Sequence, residues 1–159
     1  MQKIIQKNNE GSKGFSLLEL LMVITIFIIL SVVGSASYRN YNKSVELGAF
    51  SQAMSGNMRY VRSKAMIGEG GFKWGVHFVN STNDYYELFS TPTTYVDAGK
   101  VITETDYLPK SITFSDPTEG NTKDVIFDKI SGNSTTASVS IVSESVTQTI
   151  NITSIGTVY

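Results

Sequence analysis

The sequence predicts an α+β fold in which a long N-terminal α-helix packs on a C-terminal antiparallel β-sheet. An apolar run begins at residue 15, apolar residues then recur at helical spacing up to residue 65, and period-two alternation starts at residue 73. Apolar residues three or four apart mark one face of a helix, whereas alternation marks a half-buried strand. Short strands that follow one helix favour a sheet packed on the apolar face of that helix. The length of 159 residues suggests one domain.

The composition excludes several kinds of chemistry. The chain has no cysteine, so it has no disulfide, no thiolate metal site and no cysteine nucleophile. Its net charge of -1 is unevenly distributed: residues 1–64 hold eight Lys/Arg and three Asp/Glu, and residues 65–159 hold five Lys and eleven Asp/Glu. The two parts therefore carry +5 and −6. This asymmetry suggests contact with a membrane or a nucleic acid on the basic side.

The apolar run is predicted to form a membrane-spanning helix. Only Glu19, Thr25 and Ser31 are polar between residues 17 and 33, and a span needs about 20 apolar residues. Lysines precede the run, which predicts that the N-terminus stays inside the cell. A cleaved signal peptide and a plain signal anchor are two interpretations of the run. Neither explains Glu19, because a carboxylate near the middle of a span costs about 2.5–3.5 kcal/mol.

A third interpretation gives this glutamate a partner. The stretch "KGFSLLELL" at 13–21 resembles the processing site of type IV pilins and type II secretion pseudopilins. In that family a prepilin peptidase cuts after the glycine, here Gly14, and the new amine on Phe15 is usually methylated. The family's glutamate, four residues beyond the new N-terminus, falls on Glu19. The resemblance implies that Glu19 pairs with the Phe15 amine of a neighbouring subunit, so that each charge offsets the desolvation of the other.

The resemblance and the periodicity together divide the chain into four parts. We expect a leader peptide at 1–14, a transmembrane and filament-core helix at 15–35, an amphipathic second half of that helix at 36–67, and a β-rich head at 68–159. The glycine-rich "GEGG" is expected to end the helix. The predicted apolar face of the second half consists of Leu47, Phe50, Met54, Met58, Val61 and Ala65.

The β-rich part carries a second resemblance. Strand-like alternation occurs at 73–78, 85–89, 100–103, 111–114, 124–127, 137–142 and 148–153. The segments "RSKAMIGEGGFKWGVHFVNSTNDYYELF" and "INITSIGTVY" resemble the GspH/FimT class of minor pilins and pseudopilins. That resemblance implies a pilin-like fold and favours a minor subunit over a major one.

Three other features are candidate sites. His77 is the only histidine and is interpreted as a strand-face residue, because a metal site usually needs several ligands together. The acidic loop at 115–124 could hold calcium, although a solvated loop without metal is favoured. Arg59, Arg62 and Lys64 are interpreted as complementing the dipole at the helix end. Contact of these three residues with DNA phosphates is the alternative, since some minor pilins of this class bind DNA.

We therefore expect a structural subunit without enzymatic activity, cofactor or metal. The implied partners are other pilin or pseudopilin subunits, prepilin peptidase, an inner-membrane assembly platform and, before assembly, membrane lipid; DNA is a weaker candidate. The expected location is a single-pass inner-membrane protein with an extracytoplasmic head, and then a pilus or pseudopilus. The alternatives are a major pilin and a signal-anchored extracytoplasmic binding module, for example one that binds DNA during uptake.

Overall fold

A computed structural model describes residues 14–159, without the side chains of residues 33–37, 39 and 40. The predicted leader therefore lies outside the described residues except for Gly14. The chain divides into two compact units, one that ends at Asn40 and one that comprises Tyr41–Tyr159. The elements are helix α1 (Leu17–Met66), a short 3-10 helix (Glu69–Gly71), and strands β1 (Lys73–Val79), β2 (Tyr85–Thr91), β3 (Val101–Tyr107), β4 (Thr113–Asp116), β5 (Thr122–Phe127), β6 (Ala137–Ser143) and β7 (Val146–Ile152).

The strands form two antiparallel sheets. One sheet has four strands in the order β3-β2-β1-β5, and the other has three in the order β4-β6-β7. In the first sheet, Val76 of β1 lies opposite Leu88 of β2 and Val125 of β5. All three side chains are buried, so this register places apolar residues from neighbouring strands on the face that forms the core.

The core of the Tyr41–Tyr159 unit lies between α1 and the sheets. Of the apolar face predicted for the helix, Leu47, Met54, Met58, Val61 and Ala65 are fully buried, and the sixth member, Phe50, is partly buried against the same core. This stripe was predicted correctly, because residues three or four apart share one side of a helix. Buried side chains from both sheets complete the core, among them Phe78, Leu88, Phe127, Val139, Ile141 and Ile150.

Polar side chains of the β1–β2 connection hold β4 in place. The buried Asn80 amide donates to the carbonyl oxygens of Phe114 and Pro117 at 2.9 and 2.7 Å. The carboxylate of Asp84, also buried, accepts the Phe114 N–H at 2.8 Å. The two bonds to Phe114 satisfy backbone groups on the unpaired side of β4, and the third satisfies the carbonyl of Pro117 just after this strand. An unsatisfied buried group would cost about 1–3 kcal/mol.

The structure contradicts the predicted fold class in two respects. All seven predicted strands form, but they make two sheets rather than one, because β5 returns to pair with β1 while β4, β6 and β7 pair among themselves. The helix has two stretches, residues 17–40 and 41–66, which belong to different compact units. Only the second stretch contributes buried residues to the core. The prediction of one long helix, half in a membrane and half packed on a single sheet, is therefore wrong.

The predicted membrane location is contradicted as well. Among the residues that the structure describes, no helix combines the length and the apolar character that crossing a bilayer requires. The prediction of a transmembrane first half, and of a single-pass inner-membrane protein, is corrected accordingly.

Candidate functional site: an exposed apolar segment of α1

The start of α1 and the residues just before it form a segment with apolar side chains on every side. We call residues 14–32 the apolar segment. Every described residue in it is exposed, and the exposed fraction reaches 82% at Leu17 and 74% at Phe15. A helix that is hydrophobic all round is normally buried, and a large exposed apolar surface marks a site of interaction. The exposed large side chains further along it are Leu18, Leu20, Leu21, Met22, Val23, Ile24, Ile26, Phe27, Ile28, Ile29, Leu30 and Val32.

The hydroxyl groups of the apolar segment are satisfied by the helix itself. Thr25 Oγ1 donates to the Leu21 carbonyl oxygen at 2.8 Å, and Ser31 Oγ donates to that of Phe27 at 2.7 Å. These are bonds from a side chain to the preceding helical turn. Neither of these two hydroxyls would lose its partner if the segment were covered by apolar groups, so neither opposes burial.

Glu19 has a local role that the sequence analysis missed. The Ser16 hydroxyl oxygen accepts the backbone N–H of Glu19 at 3.2 Å. Because α1 begins at Leu17, Ser16 is its N-cap and Glu19 stands at the third helical position, which is the spacing of a capping box. An acidic side chain in the first turn also interacts favourably with the helix dipole. The Ser-x-x-Glu pattern at 16–19 is the sequence signal for this cap.

Gly14 and Phe15, the two residues of the predicted cleavage site, directly precede α1. A Cβ added to Gly14 would meet no heavy atom within 4 Å among the described residues. Phe15 is exposed. Within the described part of the chain, no other residue therefore blocks the access of an enzyme to the bond between Gly14 and Phe15. The processing and methylation assigned to this pair stay predictions.

The basic residues at the end of α1 bind other parts of the head. Arg59 donates to the carbonyl oxygen of Val158 at 3.0 Å, and Arg62 donates to those of Gly132 and Ile155 at 3.3 and 2.9 Å. Arg62 thus holds the loop near residue 132 and the turn at Ile155, and Arg59 holds Val158. These bonds give both arginines a structural role that the sequence analysis missed.

Lys64 is held close to the helix end. Its ammonium group donates to Glu69 Oε1 at 2.5 Å and lies 5.4 Å from the centroid of the Trp74 ring. The pKa of Lys64 is raised above its usual value, mainly by the hydrogen bond to Glu69. DNA contact by Arg59, Arg62 and Lys64 stays a prediction. To bind DNA, these side chains would have to contact phosphates and keep their present hydrogen bonds.

His77 lies in a network on the sheet face that points away from α1. The histidine is buried, as a strand-face residue, and its Nδ1 atom is 2.5 Å from Asp124 Oδ1. The Tyr95 ring stacks on the imidazole with 3.6 Å between centroids, and the Tyr95 hydroxyl donates to Glu87 Oε2 at 2.6 Å. Burial, followed by the hydrogen bond to Glu87, raises the pKa of Tyr95. These contacts fasten the β2–β3 connection over the sheet.

The acidic loop that could have held calcium is not arranged as a metal site. Asp124 pairs with His77, and Asp116 pairs with Lys123 and accepts a hydrogen bond from the Ser138 hydroxyl at 3.2 Å. Within residues 14–159, no three His, Cys, Asp or Glu side chains come close enough to hold a metal ion. The carboxylates are instead used to connect neighbouring strands.

No family model and no curated protein matches the sequence, and no solved structure matches the fold. Function is therefore inferred from the residues themselves, above all from the apolar segment and Glu19.

Proposed function

We propose that this protein is a minor pilin or pseudopilin. In this proposal prepilin peptidase cuts the chain between Gly14 and Phe15, and the mature subunit assembles into a type IV pilus or type II secretion pseudopilus. The observation that carries the proposal is the apolar segment, which is exposed on all sides. The resemblance of residues 13–21 to the family's processing site supports it, and the resemblance of the β-rich part to the GspH/FimT class favours a minor subunit.

Other subunits are the proposed cover for the apolar segment. Burial of apolar surface contributes about 25 cal/mol per Å², and a helix that is apolar all round offers that surface to several neighbours at once. The hydroxyls of Thr25 and Ser31 keep their bonds within the helix when neighbours pack against it. Helices of similar subunits present the same kind of surface, so a stack of such helices buries the segment of every member.

Cleavage supplies the charge that Glu19 needs. Before cleavage, the nitrogen of Phe15 is part of a peptide bond and carries no charge. Cleavage leaves a cationic amine four residues before Glu19, in a segment that otherwise has no charged group. Inside a stack, the amine of one subunit and the Glu19 carboxylate of its neighbour offset the desolvation of each other, whereas either charge alone would oppose burial. Processing would thereby permit assembly in one register.

The fraction of the protein found in filaments tests this proposal. Filaments are sheared from cells that express the chain with its filament system, and the fraction is probed with an antibody against the head. We expect the chain to co-purify with other pilin-like subunits and to begin at Phe15 by N-terminal sequencing. A filament fraction that contains the other subunits and lacks this chain would refute the proposal.

Gly14→Val is expected to block processing. A peptidase must approach the bond after Gly14 closely, and a β-branched side chain at this position obstructs that approach. The added Cβ meets no heavy atom of the described chain, so an effect on folding is not expected. Mass spectrometry should show uncleaved precursor for Gly14→Val and mature protein for the control Ser12→Val. Mature Gly14→Val protein that begins at Phe15 would contradict the assigned cleavage site.

A further inference from the structure

A groove of about 480 Å³ lies in the head between two connections. One wall is formed by residues 81–84, which join β1 to β2, and the other runs from the end of β3 at residue 107 to the start of β4 at residue 113. This volume falls in the range of sites that bind small molecules. We call it the connection groove, and its lining residues are Ser81, Thr82, Asn83, Asp84, Tyr107, Leu108, Pro109, Lys110, Ile112 and Thr113.

Hydrogen bonds hold both walls of the connection groove in place. Asp84 Oδ1 accepts the N–H of Ser81 at 2.9 Å, and the carbonyl oxygen of Asp84 accepts the N–H of Leu108, also at 2.9 Å. The second of these bonds joins one wall to the other. The Ile112 N–H donates to the carbonyl oxygen of Pro109 at 2.9 Å and closes a turn within the second wall. The walls are therefore formed in advance, so a ligand loses little affinity to the ordering of the groove.

Four polar side chains of the connection groove are available to a ligand. Thr82, Asn83, Lys110 and Thr113 are exposed, and among the described residues none of them has a side-chain hydrogen bond or an ion pair. Asp84 differs, because both of its carboxylate oxygens already accept backbone N–H groups. Hydroxyl and carboxamide groups both donate and accept hydrogen bonds, and an ammonium group donates them. The groove therefore suits a ligand rich in hydroxyl groups, which also donate and accept.

Tyr107 adds an aromatic surface beside these polar groups. This residue is 66% exposed, and its ring lies next to that of Tyr85 with 5.5 Å between centroids. The contact restricts the position of the Tyr107 ring and leaves most of it open to a ligand. The face of an aromatic ring carries partial negative charge, and the C–H groups on one side of a pyranose ring carry partial positive charge. A sugar ring can therefore stack on Tyr107 while its hydroxyl groups reach the polar side chains.

The connection groove is poorly suited to a peptide strand or a polyanion. Asp84 accepts the N–H of Phe114 in β4 at 2.8 Å, and Asn80 donates to the carbonyl oxygen of Phe114 at 2.9 Å. A strand could add to this edge only by displacing these bonds. Residues 65–159 hold five Lys and eleven Asp/Glu, and this net negative charge repels nucleic acids and other polyanions. The favoured ligand is therefore uncharged.

We propose that the connection groove binds a neutral saccharide. The ring of Tyr107 stacks on one face of a pyranose ring, and the Asn83 carboxamide and the Lys110 ammonium group hold its hydroxyl groups. This binding goes beyond the proposed function, because the groove lies in the head and uses no residue of the apolar segment.

Calorimetric titration with neutral oligosaccharides tests this inference. The full-length protein, kept in a detergent without a sugar headgroup, is titrated with maltotetraose, cellotetraose and chitotetraose. We expect at least one of them to bind, and Tyr107→Ala and Asn83→Ala to weaken that binding several-fold. Tyr60→Ala and Asn133→Ala, which change exposed residues outside the groove, are the matched controls and should bind as the natural chain does. Tyr107→Phe keeps the ring and should keep most of the affinity, which separates loss of stacking from loss of folding.

Three outcomes would overturn the inference: no binding of any of the three oligosaccharides, binding that Tyr107→Ala and Asn83→Ala leave unchanged, or tighter binding of the acidic tetragalacturonate than of every neutral one. The titration uses unassembled protein, so its result is independent of the proposed function. A chain that enters filaments and binds no saccharide contradicts only this inference, and a chain that binds a saccharide and is absent from filaments contradicts only the filament role.

Discussion

Glu19→Leu is expected to reduce the amount of this chain in sheared filaments by about 100-fold or more while cleavage after Gly14 continues. The substitution removes one partner of the proposed pair and leaves the Phe15 amine unpaired in apolar surroundings. Loss of one partner of a buried ion pair costs about 3–5 kcal/mol, and about 1.4 kcal/mol corresponds to a factor of ten. Quantitative immunoblots of the filament and whole-cell fractions measure the effect. Glu19→Asp should be intermediate, since it keeps the charge but shortens its reach.

Ser16→Ala separates the pairing role of Glu19 from its capping role. This variant removes the hydroxyl that accepts the Glu19 N–H and keeps the carboxylate. Loss of an N-cap costs about 1 kcal/mol, much less than an unpaired buried charge, so Ser16→Ala should still enter filaments. Equal losses for Ser16→Ala and Glu19→Leu would mean that both act through the start of the helix, and wild-type incorporation of Glu19→Leu would contradict the pairing.

Gly156→Ala is expected to lower the free energy of unfolding of the head by about 3 kcal/mol or more. Gly156 has φ of 76°, a conformation that a side chain disfavours. An added Cβ would also overlap the carbonyl oxygen of Gly132 and come within 2.8 Å of Arg62 Nε. Relief of that overlap must move backbone and disturb the hydrogen bonds of Arg62 to Gly132 and Ile155. Urea denaturation followed by Trp74 fluorescence measures the loss.

Gly120→Ala is the matched control for Gly156→Ala. Gly120 has the same φ of 76°, but a Cβ there meets nothing within 4 Å. It should therefore show only the backbone cost of about 1–2 kcal/mol. Similar losses for the two variants would show that the close approach of Gly132 to Gly156 does not contribute to the stability of the head.

The periodicity of the sequence predicted the elements of the head but not their arrangement. Leu47, Met54 and Met58 follow the helical period, and Val76 and Val125 follow the strand period, because local geometry alone places them on one face. The partition into two sheets depends on contacts between distant segments, such as Val76 with Val125. No local pattern specifies which strands become neighbours, so one sheet was predicted where two form.

The candidate site was predictable only where its residues are adjacent in sequence. Gly14, Phe15 and Glu19 stand within one short motif, and the capping serine between them could have been recognised from its spacing. The structural roles of Arg62 and Arg59 could not, because their carbonyl partners lie 70 and 99 residues further along the chain. The network of His77 with Tyr95 and Glu87 likewise joins β1, β2 and the connection after β2.

Thiol labelling of Met22→Cys in sheared filaments tests most directly whether the apolar segment is covered by other subunits. This substitution creates the only thiol in the chain, at a side chain that is 61% exposed in the isolated subunit. We expect the thiol to be unreactive towards a maleimide in intact filaments and to react fully after the filaments are dissociated in denaturant. Thr82→Cys, in an exposed loop of the head, should react in both states. Rapid labelling of Met22→Cys in intact filaments would contradict burial of the apolar segment between subunits.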